Sequence, residues 1–110
     1  MHFLVTCIDK ARAAALRRRT RAVHLDYMIA HQSLIVSGGP LRSDDGTATI
    51  GSAFIIDLPD RAAVDDFLAR EPYAQAGLFD SVKVVRIALM VPESRPGLLM
   101  DELARERAQG

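Results

Sequence analysis

A chain of 110 residues holds one domain around one hydrophobic core and is too short for two domains of ordinary size. Hydrophobic residues make up 49% and charged residues 25%, ordinary values for a soluble globular protein, and 14 basic side chains balance 14 acidic ones, which argues against a nucleic-acid partner. A single cysteine excludes an internal disulfide, Met1 to Asp9 lacks the basic region and apolar core of a signal peptide, and no apolar run approaches the ~18 residues needed to cross a bilayer, so a cytoplasmic protein without a membrane partner is expected.

His2 to Ile8 alternates and is rich in β-branched and aromatic types, with Phe3, Val5 and Cys7 on one face and Leu4, Thr6 and Ile8 on the other; the spacing predicts a central strand. Cys7 continues the Phe3 and Val5 face and reads as a small core residue, and His2, with no neighbouring ligand, has no assigned role. Asp9 can cap the segment that follows, Ala11 to His31, which is rich in Ala, Leu and Arg and free of the Gly or Pro that would interrupt a helix. Counting about 100° per residue, Leu16, Val23, Tyr27 and Ala30 form its core stripe. His24 lies at the margin of that stripe, partly desolvated yet able to reach a cleft, where an imidazole serves proton transfer. A flanking histidine that only packs is the alternative. His31 lies two turns further on, about 10.5 Å along the axis, too far for both rings to bind one metal ion directly, so no metal site is expected. Arg12, Arg17, Arg18, Arg19 and Arg21 project in several directions and read as a solvated face.

Leu34 to Ser37 predicts a second strand, ended by Gly38-Gly39-Pro40-Leu41, a backbone that either bulges or lets a ligand approach closely. Ser43-Asp44-Asp45-Gly46 reads as a hairpin turn into a third strand, Thr47 to Leu58, antiparallel to the second. Asp60 is placed as the N-cap of a second helix with Val64, Phe67 and Leu68 as its core stripe, and Glu71-Pro72 ends it. Glu71 falls two turns after Val64, on the apolar phase, at the helix end where the macrodipole disfavours negative charge. It should therefore want a cationic partner; an exposed carboxylate at a frayed end is the alternative. Tyr73 to Phe79 reads as a connection and Ser81 to Val91 as a fourth strand. Pro92 to Gly97 is a linker, and Leu98 to Gln109 has helical composition with Leu98, Leu99, Met100 and Leu103 as apolar anchors. Docking of this tail on its own body, docking on a partner, and disorder are all open. The division is a folded unit over residues 1–91 followed by a linker and helical tail over 92–110.

Strand, helix, strand, strand, helix, strand is the split βαβ order of a ferredoxin-like α+β fold, with both helices on one face of a four-stranded antiparallel sheet. The other face is too apolar to be left wet, so a homodimer is expected.

Three stretches then point to a family: His24-Leu25-Asp26-Tyr27 on the first helix, Gly38-Gly39-Pro40-Leu41, and Glu71-Pro72-Tyr73-Ala74-Gln75-Ala76-Gly77-Leu78-Phe79 before the last strand. With the order of elements, they resemble the YciI-like family over most of the predicted folded unit. The resemblance implies a dimeric α+β barrel, the fold also associated with muconolactone isomerases. It also implies an active-site pair of a histidine, matching His24, and an aspartate, matched here by Glu71, one methylene longer. Some relatives are linked to dechlorination or lactone chemistry in aromatic-compound breakdown. The expectation that follows is a small-molecule lyase or isomerase without a cofactor, in which His24 removes a proton and Glu71 holds its ring and favours the imidazolium. Arg21, Gly39, Pro40 and Tyr73 are the candidate substrate-binding residues, Arg21 to attract a substrate carboxylate. The competing expectation is a non-catalytic module that binds a metabolite or dimerises. A cleft at the helix-sheet margin with His24 and Glu71 in reach would favour the first, and a filled, dry margin the second.

Overall fold

Alternation at the start of the chain produces β1 (His2–Asp9), whose Phe3, Val5 and Cys7 side chains are buried while Leu4 and Thr6 between them are only half-buried. In the computed structural model, which describes residues 1–110, β1 is one of two central strands. It is followed by α1 (Ala14–Ala30), β2 (Ile35–Arg42), β3 (Thr49–Asp57), α2 (Arg61–Arg70), the single-turn α3 (Pro72–Gln75), β4 (Phe79–Ile87) and α4 (Leu98–Gln109). The strands pair antiparallel in the order β2-β3-β1-β4, the ferredoxin-like α+β arrangement.

Residues opposite one another on paired strands share a side of the sheet, so Phe3, Val5 and Cys7 lie on one face with Phe54 and Ile56 of β3 and Val84 of β4. Val64 and Phe67 of α2 join that cluster, and Tyr27 and Met28 of α1 pack against it. Two glycines permit the close approach. A Cβ on Gly51 would fall 2.1 Å from the Cys7 carbonyl oxygen, and one on Gly38 would fall 2.5 Å from Phe54 Cβ. The hairpin between β2 and β3 is tied by Asp45, which accepts from the Thr47 N–H and from the Ser43 and Thr47 hydroxyls. These bonds, the backbone one first, hold its carboxyl down at about 2. No helix is long and apolar enough to cross a membrane.

Several boundaries and one phase differ from expectation. The first helix begins at Ala14 rather than Ala11, after a turn in which Arg12 takes the left-handed φ of 58°. Asp9 does not cap it, because its carboxylate is engaged by Arg17. Half of the expected core stripe holds: Leu16 and Tyr27 turn inward, but Val23 is 58% exposed and Ala30 is exposed, and Arg17, His24 and Met28, one residue further on, turn inward instead. The second strand does not stop at Ser37 but runs through Gly38-Gly39-Pro40 to Arg42, and Pro40 is tolerated there because β2 is an edge strand. The segment after Glu71 forms α3 before reaching β4, which starts at Phe79 and ends at Ile87, short of Val91. The tail is helical, and α4 contains no buried residue.

Candidate active site

Pro72 decides how Glu71 is presented. It keeps the preceding residue out of the helical region, so Glu71 is extended (φ −68°, ψ 127°) and closes α2. Pro72 is itself well suited to open a new helical turn, so Glu71 also becomes the N-cap of α3, its Oε2 accepting from the Ala74 N–H at 3.0 Å. One carboxylate oxygen is spent on that cap. The other, Oε1, lies 2.5 Å from His24 Nδ1, and Glu71 is only 2% exposed. The residue expected to need a cationic partner at a helix C-terminus thus meets an imidazole, while its own oxygen satisfies a helix N-terminus.

His24 reaches this carboxylate from α1, with 17% of its side chain exposed. Since a carboxylate can only accept, Nδ1 carries the shared proton, which leaves Nε2 as the nitrogen free to exchange a proton with a ligand. One face of the ring stacks on Tyr73, with centroids 3.9 Å apart and planes 19° from parallel. Tyr73 is fully buried and does not reach the cavity; the expected substrate contact is instead a support behind the histidine, and its hydroxyl has no hydrogen-bond partner.

Beside this pair lies a cavity of about 210 Å³ between α1 and the sheet. Arg21, His24, Leu25 and Met28 line it from α1, Gly38, Gly39 and Pro40 from β2, and Cys7, Ser52 and Phe54 from the sheet floor, with Leu68, Glu71 and Phe79 completing the wall. Of the expected substrate contacts, Arg21, Gly39 and Pro40 therefore do line the hollow. Arg21 is exposed, which places it at the mouth, and nothing lies within 4 Å of where a Gly39 Cβ would stand. Cys7 also lines the hollow, yet burial above all, then the charges of Glu71 and Asp9, pushes its thiol up to about 12, with Arg17 partly opposing. It remains a thiol. No group of three or more His, Cys, Asp or Glu side chains is arranged to hold a metal ion.

The residue that sequence reasoning misplaced is Arg17, assigned to a solvated face but only 7% exposed. Its Nε and Nη2 donate to the two Asp9 carboxylate oxygens at 2.7 and 3.0 Å, and Nη2 also donates to Ser52 Oγ at 3.0 Å. Burial, the largest single influence, opposes the guanidinium charge, but the Asp9 hydrogen bond and charge, with a further contribution from Tyr73, together outweigh it and raise its pKa further. The signal that could have found it is spacing. Arg17, His24 and His31 recur every seven residues, so placing His24 inward places Arg17 inward two turns earlier.

Comparison with known proteins gives the following. Residues 1–88 match the family model described as the YCII-related domain. No curated protein matches the chain. Among solved structures, 5-chloro-2-hydroxyhydroquinone dehydrochlorinase (TftG) from Burkholderia phenoliruptrix AC1100, in complex with 2,5-dihydroxybenzoquinone, is similar with a TM-score of 0.77 and 26% identity, over 86% of this chain and 100% of that one. An antibiotic biosynthesis monooxygenase is similar with a TM-score of 0.47 and 18% identity, over 80% of this chain and 97% of that one. Rv0793 from Mycobacterium tuberculosis has a TM-score of 0.47 and 14% identity, over 80% of this chain and 94% of that one.

Proposed function

Since the chain belongs to the YCII-related domain family, we propose that it is a small-molecule lyase or isomerase in which His24 abstracts a proton and Glu71 orients the ring and stabilises the imidazolium that forms. Dehydrochlorination of a chlorinated hydroxyhydroquinone is the reaction to test first. The observation that carries this reading is the 2.5 Å contact between His24 Nδ1 and Glu71 Oε1 at the wall of the cavity. With Nδ1 engaged, Nε2 accepts a proton from an activated C–H or O–H of the ligand, and the buried carboxylate stabilises the imidazolium that results. The electron pair left behind has two routes. If it expels chloride, HCl is lost in total, with the proton on His24 and chloride in solution. If the same proton returns to another carbon, the product is an isomer.

The cavity is of a size for one six-membered ring with a few substituents, and its Met28, Phe54 and Phe79 walls keep water from the proton being moved. Arg21 at the mouth supplies the charge for an anionic oxygen or carboxylate. The likeness to a dehydrochlorinase supports a halogenated aromatic ligand. No cofactor is needed for proton transfer by this pair. A module that only dimerised would have no use for a buried acid-base pair beside a hollow.

Chloride release from 5-chloro-2-hydroxyhydroquinone is the direct assay. Wild type should exceed the uncatalysed rate, and His24→Ala or Glu71→Gln should each lower it by roughly 10²–10⁴-fold, the usual worth of a general base. Release by the two variants equal to wild type would remove the pair from the chemistry. Failure of wild type to release chloride would remove this reaction.

A further inference from the structure

Arg17 does not line the cavity, yet it presses on the ring that supports His24. Asp9 holds its guanidinium through two hydrogen bonds and Ser52 Oγ accepts a third. The guanidinium carbon stands 4.6 Å from the Tyr73 ring centroid, and that ring stacks on His24 at 3.9 Å. Asp9 and Arg17 side chains are 8% and 9% exposed and Tyr73 is 0% exposed, so the series Asp9, Arg17, Tyr73, His24 is a packed one without intervening solvent.

We propose that Arg17 is a positioning residue for His24, fixing the Tyr73 ring and through it the plane of the imidazole. The proposal rests on the reading of His24 as the proton acceptor. Glu71 sets the distance to Nδ1, but one hydrogen bond leaves the tilt of an imidazole free. A second ring flat against its face removes that freedom and aims the Nε2 lone pair in one direction. The Tyr73 hydroxyl is buried and makes no well-formed hydrogen bond, and the polar group near enough to act on it is the Arg17 guanidinium itself. The orientation of the Tyr73 ring comes from what packs on it, and Arg17 is the member of that packing with a fixed direction. The planar fork is locked by Asp9 at two points and by Ser52 at a third. Net stability is a poor account of such a pair, because desolvation of two buried charges offsets most of their attraction. What the fork supplies is geometry.

Nuclear magnetic resonance of His24 reads this without any substrate. In wild type, its ring protons are displaced upfield by the Tyr73 ring current, and its Nδ1 proton appears far downfield in slow exchange. Arg17→Lys keeps the charge and loses the fork. Asp9→Asn with Arg17→Gln removes both charges and leaves neither ion alone in the interior. In both, the ring protons should move back toward unstacked positions and the Nδ1 proton should broaden, with the backbone spectrum intact. Tyr73→Phe, which keeps the ring, should leave both signals in place. Unchanged His24 signals in either folded Arg17 variant overturn the proposal. Should neither fold, Tyr73→Leu decides, because it removes the supporting ring without removing a hydrogen bond: loss of the downfield Nδ1 proton supports the proposal and its persistence overturns it. In the chloride assay, Arg17→Lys should lower kcat by roughly 10²-fold with KM little changed, the effect of a misaimed base. Disturbed His24 signals beside an inactive wild type would retire the proposed reaction and leave the positioning role standing.

Discussion

Cys7 shows how position silences a reactive residue type. It borders the cavity beside His24, an arrangement that elsewhere makes a nucleophile, but burial and two nearby carboxylates push its thiol up to about 12. At pH 8 the native protein should therefore react with iodoacetamide far more slowly than the unfolded chain, as followed by mass spectrometry, and equal rates would show an accessible thiolate. The same shift sets a pH dependence of stability. The folded state disfavours the ionised form, so the contribution is complete below the ordinary value of 9.0 and is lost as pH rises toward about 12. Cys7→Ala should flatten that part of the alkaline loss of unfolding free energy. At this scale the pair of His24 and Glu71 was legible, because Glu71 sits two turns after Val64 and so had to face inward with a charge to satisfy. Arg17 was not. An arginine on a buried face contradicts hydropathy until its partner is known, and Asp9 is brought to it only by a turn that no Gly or Pro marks.

Elements were legible where local chemistry marked them. Asp60 caps α2 as expected, its Oδ1 accepting from the Ala63 N–H at 2.8 Å, and Asp60→Ala should lower stability by about 1 kcal/mol in a urea melt. The phase of α1 was not legible. Val23 and Ile29 are apolar yet 58% and 67% exposed, while polar Arg17, Thr20 and His24 turn toward the sheet, so a count based on hydrophobicity lands one residue out. The site, in other words, displaces the pattern used to find the helix face. The two strand glycines separate fold from function. Gly51→Ala puts a methyl 2.1 Å from the Cys7 carbonyl oxygen inside the β1-β3 pair, so the central strands must part and the protein should lose most of its stability. Gly39→Ala meets no atom within 4 Å and should melt within a few degrees of wild type. Because Gly39 lines the cavity, that variant should nonetheless, under the proposed reaction, release chloride more slowly than wild type; a lowered melting temperature with unchanged release would reverse the assignment.

For the whole molecule, topology followed from the order of elements, but the surfaces left over are what the chain alone does not explain. Only 13 of 110 residues are buried, and the radius of gyration is 16.7 Å against about 13 Å for a compact domain of this length. Part of the excess is α4, in which no residue is fully buried; truncation after Pro92 should leave the melting temperature nearly unchanged, and a drop of many degrees would show that Leu99 and Leu103 dock. The larger part of the argument concerns the sheet face away from α1 and α2. Leu4, Ile55 and Ile87 lie there half-buried, and Ile8 and Val85 are 37% and 42% exposed. Apolar side chains contributed by three neighbouring strands form a continuous patch rather than scattered exceptions, and we propose that a second copy of the chain covers it. A second copy meets the requirement through a two-fold axis, since the same patch then covers itself, and a stable pair would bury about 1,200–2,000 Å² in total. Sedimentation at micromolar concentration should give a species of twice the 12.0 kDa chain mass. Val85→Glu adds charge to the patch from a side chain that contributes little to the core of one chain, so it should yield a folded monomer with His24 still paired to Glu71. A wild type that sediments as a monomer would refute the pairing of sheets, and a Val85→Glu dimer would place the interface elsewhere.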